Sequence, residues 1–149
     1  MSTLERAIEI AARAHAGQLD KAGQPYVLHP LRLMLAVNTP MERMAAVLHD
    51  VVEDTSVTLE DLRTEGFAWE ILAAVHALTK TDGESRLCAA RRAAANPIAR
   101  RVKLANVADN MDIGRIANPT AKDYARVKEY EQVRELLLAN GDTGVAEQK

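Results

Sequence analysis

Residues 39–55 read TPMERMAAVLHDVVEDT, and this stretch carries the clearest helix signals in the chain. Thr39 suits an N-cap, Pro40 the first helical position, and Glu42 the far side of a capping box. Apolar side chains then recur at the spacing of one helix face, at Met41, Met44, Ala45, Leu48 and Val52. The pattern predicts a helix from Pro40 to about Val52.

Start and stop signals of this kind recur along the chain and predict an all-α bundle of about seven or eight helices. The expected helices lie within Leu4 to Ala16, Leu31 to Val37, Thr39 to Val52, Thr58 to Gly66, Ala68 to Leu78, Asn96 to Gly114 and Ala121 to Asn140. Ser2 and Glu5 are expected to form a capping box at the first helix, and Thr58 with Asp61 is expected to cap the helix that ends at Gly66. Gly141 is expected to end the last one, which divides the chain into a domain over residues 1–141 and a frayed tail over residues 142–149.

The composition fits one globular domain. The 149 residues are 48% hydrophobic, and aromatics make up only 3%, which favours helices packed by aliphatic side chains. A single cysteine, Cys88, cannot form an internal disulfide, and no leader or apolar run of about 18 residues is found. We therefore expect a cytoplasmic protein with no membrane partner, and the net charge of -2 gives no attraction to a nucleic acid polymer.

Four groups that can carry charge follow one another near the end of the predicted helix: His49, Asp50, Glu53 and Asp54. An imidazole beside a carboxylate offers mixed nitrogen and oxygen donors, which suit manganese, iron, zinc or magnesium. Carboxylates crowded at the C-terminal end of a helix are unfavourable unless a cation is present. The pattern therefore favours a divalent-metal site over a solvated polar helix end.

Three segments together resemble the hydrolase domain of the RelA/SpoT family and its small stand-alone relatives. They are GQPYVLHP at residues 23–30, LHDVVEDT at residues 48–55 and KLA at residues 103–105, and the similarity covers about residues 5–135. The resemblance implies an HD-type helical bundle that removes the 3′-pyrophosphate of (p)ppGpp, giving GDP or GTP and pyrophosphate. We expect no alarmone synthesis, because a synthetase domain does not fit in this chain.

The same resemblance implies roles for individual residues. It makes His29, His49, Asp50 and Asn106 metal ligands, Glu53 and Asp54 the groups that orient or deprotonate the attacking water, and Lys21, Asn110, Arg126 and Tyr130 the groups that bind the guanine nucleotide. The donors include no thiolate, so manganese or iron is expected rather than zinc, with Mn²⁺ the first choice.

Two positions depart from the family pattern. Asn106 stands where the family usually has an aspartate that completes the metal site, and an asparagine offers an oxygen but no negative charge. Asp109, three residues further on, is the alternative fourth ligand. Asp20 stands where the family often has a basic residue before Lys21, which puts the pyrophosphate contact in doubt.

Two other functions stay open from the sequence. One is a phosphatase acting on another 2′- or 3′-phosphorylated nucleotide or cofactor. The other is a catalytically weakened nucleotide-binding module, which Asn106 favours and the Glu53-Asp54 pair argues against. The sequence does not determine the oligomeric state and is compatible with a homo-oligomer.

Overall fold

A computed structural model describes the backbone of residues 1–148 and the side chains of residues 1–139. The helices of this part are α1 (Leu4–Ala14), α2 (Leu28–Ala36), α3 (Pro40–Asp54), α4 (Leu59–Thr64), α5 (Trp69–Leu78), α6 (Arg86–Ala94), α7 (Pro97–Asn110) and α8 (Ala121–Gln148). A 3₁₀ turn at Ile113–Arg115 joins α7 to α8. The all-α bundle predicted from the sequence is confirmed.

Helix α3 lies at the centre of the bundle and packs against α1, α2, α5 and α7. The run Ala45 to Val51 is buried on every side of the helix. His49 and Asp50 belong to that run, and they are only 3% and 7% exposed. The central position of α3 therefore takes two ionisable side chains out of bulk water, which requires polar partners or a bound ion.

The predicted caps of α3 and α4 are confirmed. Thr39 and Glu42 form both halves of a capping box, and Thr58 and Asp61 form another at α4. α3 continues past its expected end at Val52 to Asp54. Glu53 and Asp54 therefore lie on the same rigid helix as Asp50.

Helix α2 begins at Leu28, whereas the sequence analysis placed its start at Leu31. The prediction was wrong because Pro30 was taken as part of a loop. In the first turn of a helix no N–H has an intrahelical acceptor, so a proline there breaks no bond. The correction places His29 on a helix, where its ring has a fixed direction.

The ends of α1 also differ from the prediction. Thr3, not Ser2, caps the helix, since its Oγ1 accepts a hydrogen bond of 3.1 Å from Arg6 N. Ser2 N instead donates to Gly66 O at 3.0 Å. The helix ends at Ala14, before the expected Ala16.

Helix α6 was missed by the sequence analysis. Ser85 accepts a hydrogen bond of 3.1 Å from Cys88 N and caps the helix, directly after the turn at Gly83. Serine is a residue type that favours the N-cap position, so the sequence did contain an indication of this helix. The helix packs against α5, α7 and α8, and it forms one wall of the cavity described below.

Helix α8 runs through Gly141 to Gln148, so the helix end expected at Asn140 is wrong. Glycine inside a helix costs only about 1 kcal/mol relative to alanine, so it does not have to end one. The domain division at residue 141 stays a prediction, and Lys149 lies outside the described residues. No helix of the described chain is both long and apolar enough to cross a bilayer.

Candidate metal centre and active site

The side chains predicted as metal ligands meet at one place. Helices α2, α3 and α7 bring them to a cavity of about 230 Å³, which we call the central cavity. One ligand atom each from His29, His49 and Asp50 lies within 4.8 Å of the others. Asn106 joins them, with its Oδ1 2.9 Å from His29 Nε2. These four residues are called the donor cluster.

His49 supports the presence of a cation most directly. Its Nδ1 lies 2.7 Å from Ala46 O and donates to that carbonyl. Its Nε2 then presents a lone pair 3.0 Å from Asp50 Oδ1, and this buried nitrogen has no hydrogen bond within the described chain. Unpaired buried polar atoms are rare because leaving one unsatisfied costs about 1–3 kcal/mol. The donor cluster therefore fits a divalent ion.

Tyr26 holds the carboxylate of the cluster from the other side. Its hydroxyl donates to Asp50 Oδ2 at 2.5 Å, and its ring packs between His15 and His29, at centroid distances of 5.0 and 5.7 Å. Burial raises the pKa of Asp50, and the hydrogen bond from the Tyr26 hydroxyl lowers it. The sequence analysis assigned no role to Tyr26, although it lies in the quoted segment before His29.

Asp109 lies behind His29 and faces away from the other donors. Its Oδ2 is 2.6 Å from His29 Nδ1, and Arg32 Nε donates to its Oδ1 at 2.7 Å. Burial alone would raise the pKa of Asp109, but these bonds from His29 and Arg32 hold it well below its ordinary value. This geometry favours Asn106 over Asp109 as the fourth donor, which stays a prediction.

Glu53 and Asp54 extend the acidic side of the cavity by one turn of α3. Carboxylate oxygens of Asp50, Glu53 and Asp54 lie within 4.8 Å of one another. Lys80 N donates to Glu53 Oε1 at 2.7 Å and restrains that side chain. Burial, together with the charges of Asp50 and Glu53, raises the pKa of Asp54. This crowding of like charge is relieved by a nearby cation.

A cationic wall of Lys80, Arg86 and Lys103 lines the central cavity as well. Lys103 lies one turn before Asn106 on α7, and burial lowers its pKa. The guanidinium of Arg86 lies 4.7 Å from the centre of the Tyr130 ring. The sequence analysis gave none of these three cations a role in the site. Lys103 stood there only as part of the segment KLA, and Arg86 and Lys80 reach the cavity only through the placement of α6 and the loop before it.

The residues predicted to bind the nucleotide lie on the side of the cavity formed by α7 and α8. Asn110 and Tyr130 line the central cavity, and with Lys21 and Arg126 they line an adjoining cavity of about 80 Å³. Asp123 Oδ1 lies 3.9 Å from Lys21 Nζ and 3.7 Å from Arg126 Nη1, so one carboxylate holds both cations. The structure therefore brings all four predicted residues together beside the donor cluster.

Asp20, the second departure from the family pattern, has a structural contact instead of a basic group. Its Oδ1 accepts hydrogen bonds from Ala22 N and Gln24 N, both at 2.9 Å. Asp20 thus folds the loop that carries Lys21, which is a common use of aspartate in turns.

Comparisons with known proteins show what the chain is similar to. The sequence profile of the family described as HD domain matches residues 7–112. A GTP pyrophosphokinase from Streptomyces coelicolor is 42% identical over 83 residues, which are 53% of this chain and 10% of that protein. A guanosine-3′,5′-bis(diphosphate) 3′-pyrophosphohydrolase from Borreliella burgdorferi is 38% identical over 79 residues, 50% of this chain and 12% of that protein. The chain thus spans about a tenth of the length of these curated relatives.

The fold also matches a solved structure. A metazoan ortholog of SpoT that hydrolyses ppGpp superposes with a TM-score of 0.72, covering 94% of this chain and 85% of that chain. The two sequences are 24% identical, so the match establishes likeness of fold.

Proposed function

The chain belongs to the HD domain family, and on that premise we propose that it is a metal-dependent phosphohydrolase acting on (p)ppGpp. It would remove the 3′-pyrophosphate and give GDP or GTP and pyrophosphate. The observation that carries this proposal is the buried, unpaired His49 Nε2 beside Asp50, in a cavity that also has a cationic wall. An ion site beside a patch suited to phosphate is what hydrolysis of a pyrophosphate ester requires.

The donor cluster would hold the ion through His29 Nε2, His49 Nε2, an Asp50 oxygen and Asn106 Oδ1. We propose Mn²⁺, because the donors are nitrogen and oxygen and include no thiolate. A bound divalent ion supplies Lewis-acid polarisation of a phosphate oxygen and makes a nearby water more acidic.

Glu53 and Asp54 are proposed to orient the attacking water and to take its proton. They follow Asp50 on α3 and lie at the edge of the cavity, where water can enter. The water oxygen forms a bond to the phosphorus attached to O3′, the bond between that phosphorus and O3′ breaks, and O3′ takes up a proton. Two carboxylates within hydrogen-bond reach of one water suit general base catalysis.

The cationic wall is proposed to neutralise the pyrophosphate as it leaves. Lys103 is suited to this, because no described carboxylate forms a direct ion pair with it and it lines the cavity. Asn110 and Tyr130, with Lys21 and Arg126 next to them, would hold the nucleoside part. The named activity of the Borreliella burgdorferi relative supports this choice of nucleotide.

We place this reaction in the cytoplasm, where the exposed thiol of Cys88 would stay reduced. A guanine nucleotide is the expected partner.

The test is a product assay on the purified chain with Mn²⁺ and ppGpp. Equal amounts of GDP and pyrophosphate are expected, and Glu53→Gln should lose this activity while keeping its metal. Glu70→Gln, on α5 and outside the central cavity, is the matched control. Release of phosphate from 2′- or 3′-phosphomonoesters without attack on ppGpp would favour the other phosphatase, and binding of ppGpp without turnover would favour the weakened module.

A further inference from the structure

We propose that Asp109 is a positioning residue that fixes His29 as a metal ligand, and that metal affinity in this chain depends on it. The inference rests on the proposed metal site. It concerns the acidic residue that the sequence analysis could only place as an alternative ligand.

Asp109 is in direct contact with the ring of His29. Asp109 Oδ2 lies 2.6 Å from His29 Nδ1, and the two residues are 80 positions apart in the chain. In the neutral ring, donation of Nδ1–H to the carboxylate leaves the lone pair on the second ring nitrogen, Nε2. A histidine whose far nitrogen is bound by a carboxylate is held in one orientation and is a stronger ligand.

The Nε2 atom of His29 points towards the donor cluster. It lies 2.9 Å from Asn106 Oδ1 and 3.7 Å from Asp50 Oδ2, so the ring reaches the donor cluster with the nitrogen that can bind an ion. Asn110 Nδ2 donates to Asn106 Oδ1 at 3.2 Å, which fixes the oxygen of that amide on the same side. Asp109 thus determines which atom of His29 faces the cluster.

Asp109 is held by two arginines and is therefore not itself a metal donor. Arg32 donates to both of its oxygens, from Nε at 2.7 Å and from Nη2 at 3.0 Å, and Arg115 Nη2 lies 3.4 Å from Oδ2. Its side chain is only 14% exposed, and it does not line the central cavity. The two arginines hold the carboxylate in place, with the His29 ring between it and the cluster.

One feature of the donor cluster, the uncharged Asn106, is specific to this sequence. Asn106 contributes an oxygen without charge, so a larger share of the binding falls on the two histidines and Asp50. Loss of the carboxylate behind a ligating histidine typically lowers metal affinity by roughly 10- to 100-fold. Because one ligand of the set is already weak, we expect the effect of Asp109 to be within that range.

The experiment measures Mn²⁺ affinity of the full chain by calorimetry. Asp109→Asn should bind Mn²⁺ roughly 10- to 100-fold more weakly than wild type. The matched control is Asp82→Asn, which makes the same change at an exposed carboxylate in the turn before α6, and its affinity should stay within about threefold of wild type. In a His29→Ala background, Asp109→Asn should cause no further loss, because Asp109 acts only through that ring.

The outcomes separate this inference from the proposed function. Wild type that binds no Mn²⁺ overturns the metal site as a whole. Wild type that binds Mn²⁺ while Asp109→Asn binds equally well overturns only the role of Asp109, and so does a further loss in the His29→Ala background, which would make Asp109 a ligand.

A measurement on the wild type keeps the test decisive if Asp109→Asn does not fold. In ¹⁵N-labelled protein the His29 Nδ1 proton should give a far-downfield resonance that exchanges slowly with water. A His29 ring whose only proton is on Nε2 would overturn the inference.

Discussion

The bond between the Tyr26 hydroxyl and Asp50 joins the loop before α2 to the centre of α3. Tyr26→Phe removes this donor and keeps the ring between His15 and His29, so the packing should survive. Asp50 would then be free to turn, and we expect Mn²⁺ affinity to fall roughly tenfold, the lower end of the range for supporting hydrogen bonds. Calorimetric titration measures the change.

Tyr124→Phe is the matched control for that variant, because Tyr124 is 54% exposed on α8. It should bind Mn²⁺ as wild type does. Equal affinity in Tyr26→Phe and Tyr124→Phe would show that the Tyr26 hydroxyl does not support the metal site.

Asn106 is the residue at which a charge can be added with the smallest change of shape. Its Oδ1 lies 2.9 Å from His29 Nε2, so Asn106→Asp places a carboxylate oxygen within the donor cluster. Mn²⁺ affinity should rise by roughly 10- to 100-fold, and hydrolysis at limiting Mn²⁺ should rise with it. Asn110→Asp adds the same charge one turn further along α7 and should raise affinity much less; a larger effect from Asn110→Asp would contradict this assignment.

At the scale of elements, Arg92 ties α5 to α6. It donates to His76 O at 2.9 Å and to Thr79 O at 2.6 Å, which satisfies carbonyl groups at the end of α5. Hydrogen bonds from a charged group contribute about 1–3 kcal/mol, so Arg92→Ala should lower the free energy of unfolding by about that amount. Urea denaturation measures it, and Arg91→Ala, at the exposed neighbouring position of α6, should change little. Equal losses in the two variants would refute the capping role.

The same link predicts a pH dependence. Hydrogen bonds from Arg92 and from Thr81 N lower the pKa of Glu84 from 4.5 to about 2. A carboxylate whose folded pKa is lowered stabilises the fold above its unfolded pKa, and the contribution is lost as the pH falls through the folded pKa. The difference in unfolding free energy between wild type and Glu84→Gln should therefore be constant above about pH 4.5 and shrink towards pH 2. A difference that does not change between these two pH values would contradict it.

The sequence predicted elements whose signals are local. The capping boxes at Thr39 and Thr58 are complete within four residues, and both were found. The start of α2 was missed because a proline is compatible with a loop and with a first helical turn, and only the tertiary packing decides. Helix α6 was missed although its N-cap residue, Ser85, is of a type that favours this position.

The residues of the site show the same difference between local signals and long-range contacts. The donor cluster was predicted because its residues stand in recognisable segments. The supports of that cluster were not, since Tyr26 and Asp50 are 24 positions apart, and His29 and Asp109 are 80. No local pattern shows which side chains will meet across such distances.

At the scale of the whole molecule, the net charge of -2 does not explain attraction of the proposed anionic nucleotide. The charge is arranged locally instead, with Asp50, Glu53 and Asp54 on one side of the central cavity and Lys80, Arg86 and Lys103 on another. In a cavity with low-dielectric walls such an arrangement focuses the field at short range. Binding of the proposed nucleotide should therefore depend on the cavity and little on the surface of the protein.

The donor cluster also joins α2, α3 and α7, so a bound ion should stabilise the whole fold. An ion that binds the folded chain and not the unfolded one adds about 2.7 kcal/mol at a concentration of 100 times its Kd. For a domain of this size each kcal/mol raises the Tm by about 2–4 °C, so saturating Mn²⁺ should raise it by roughly 5–10 °C. EDTA should reverse the shift, and His49→Ala should show none, whereas His76→Ala, an exposed histidine on α5, should shift like wild type. An equal Mn²⁺ shift in His49→Ala would mean that the ion stabilises the chain from somewhere other than the donor cluster.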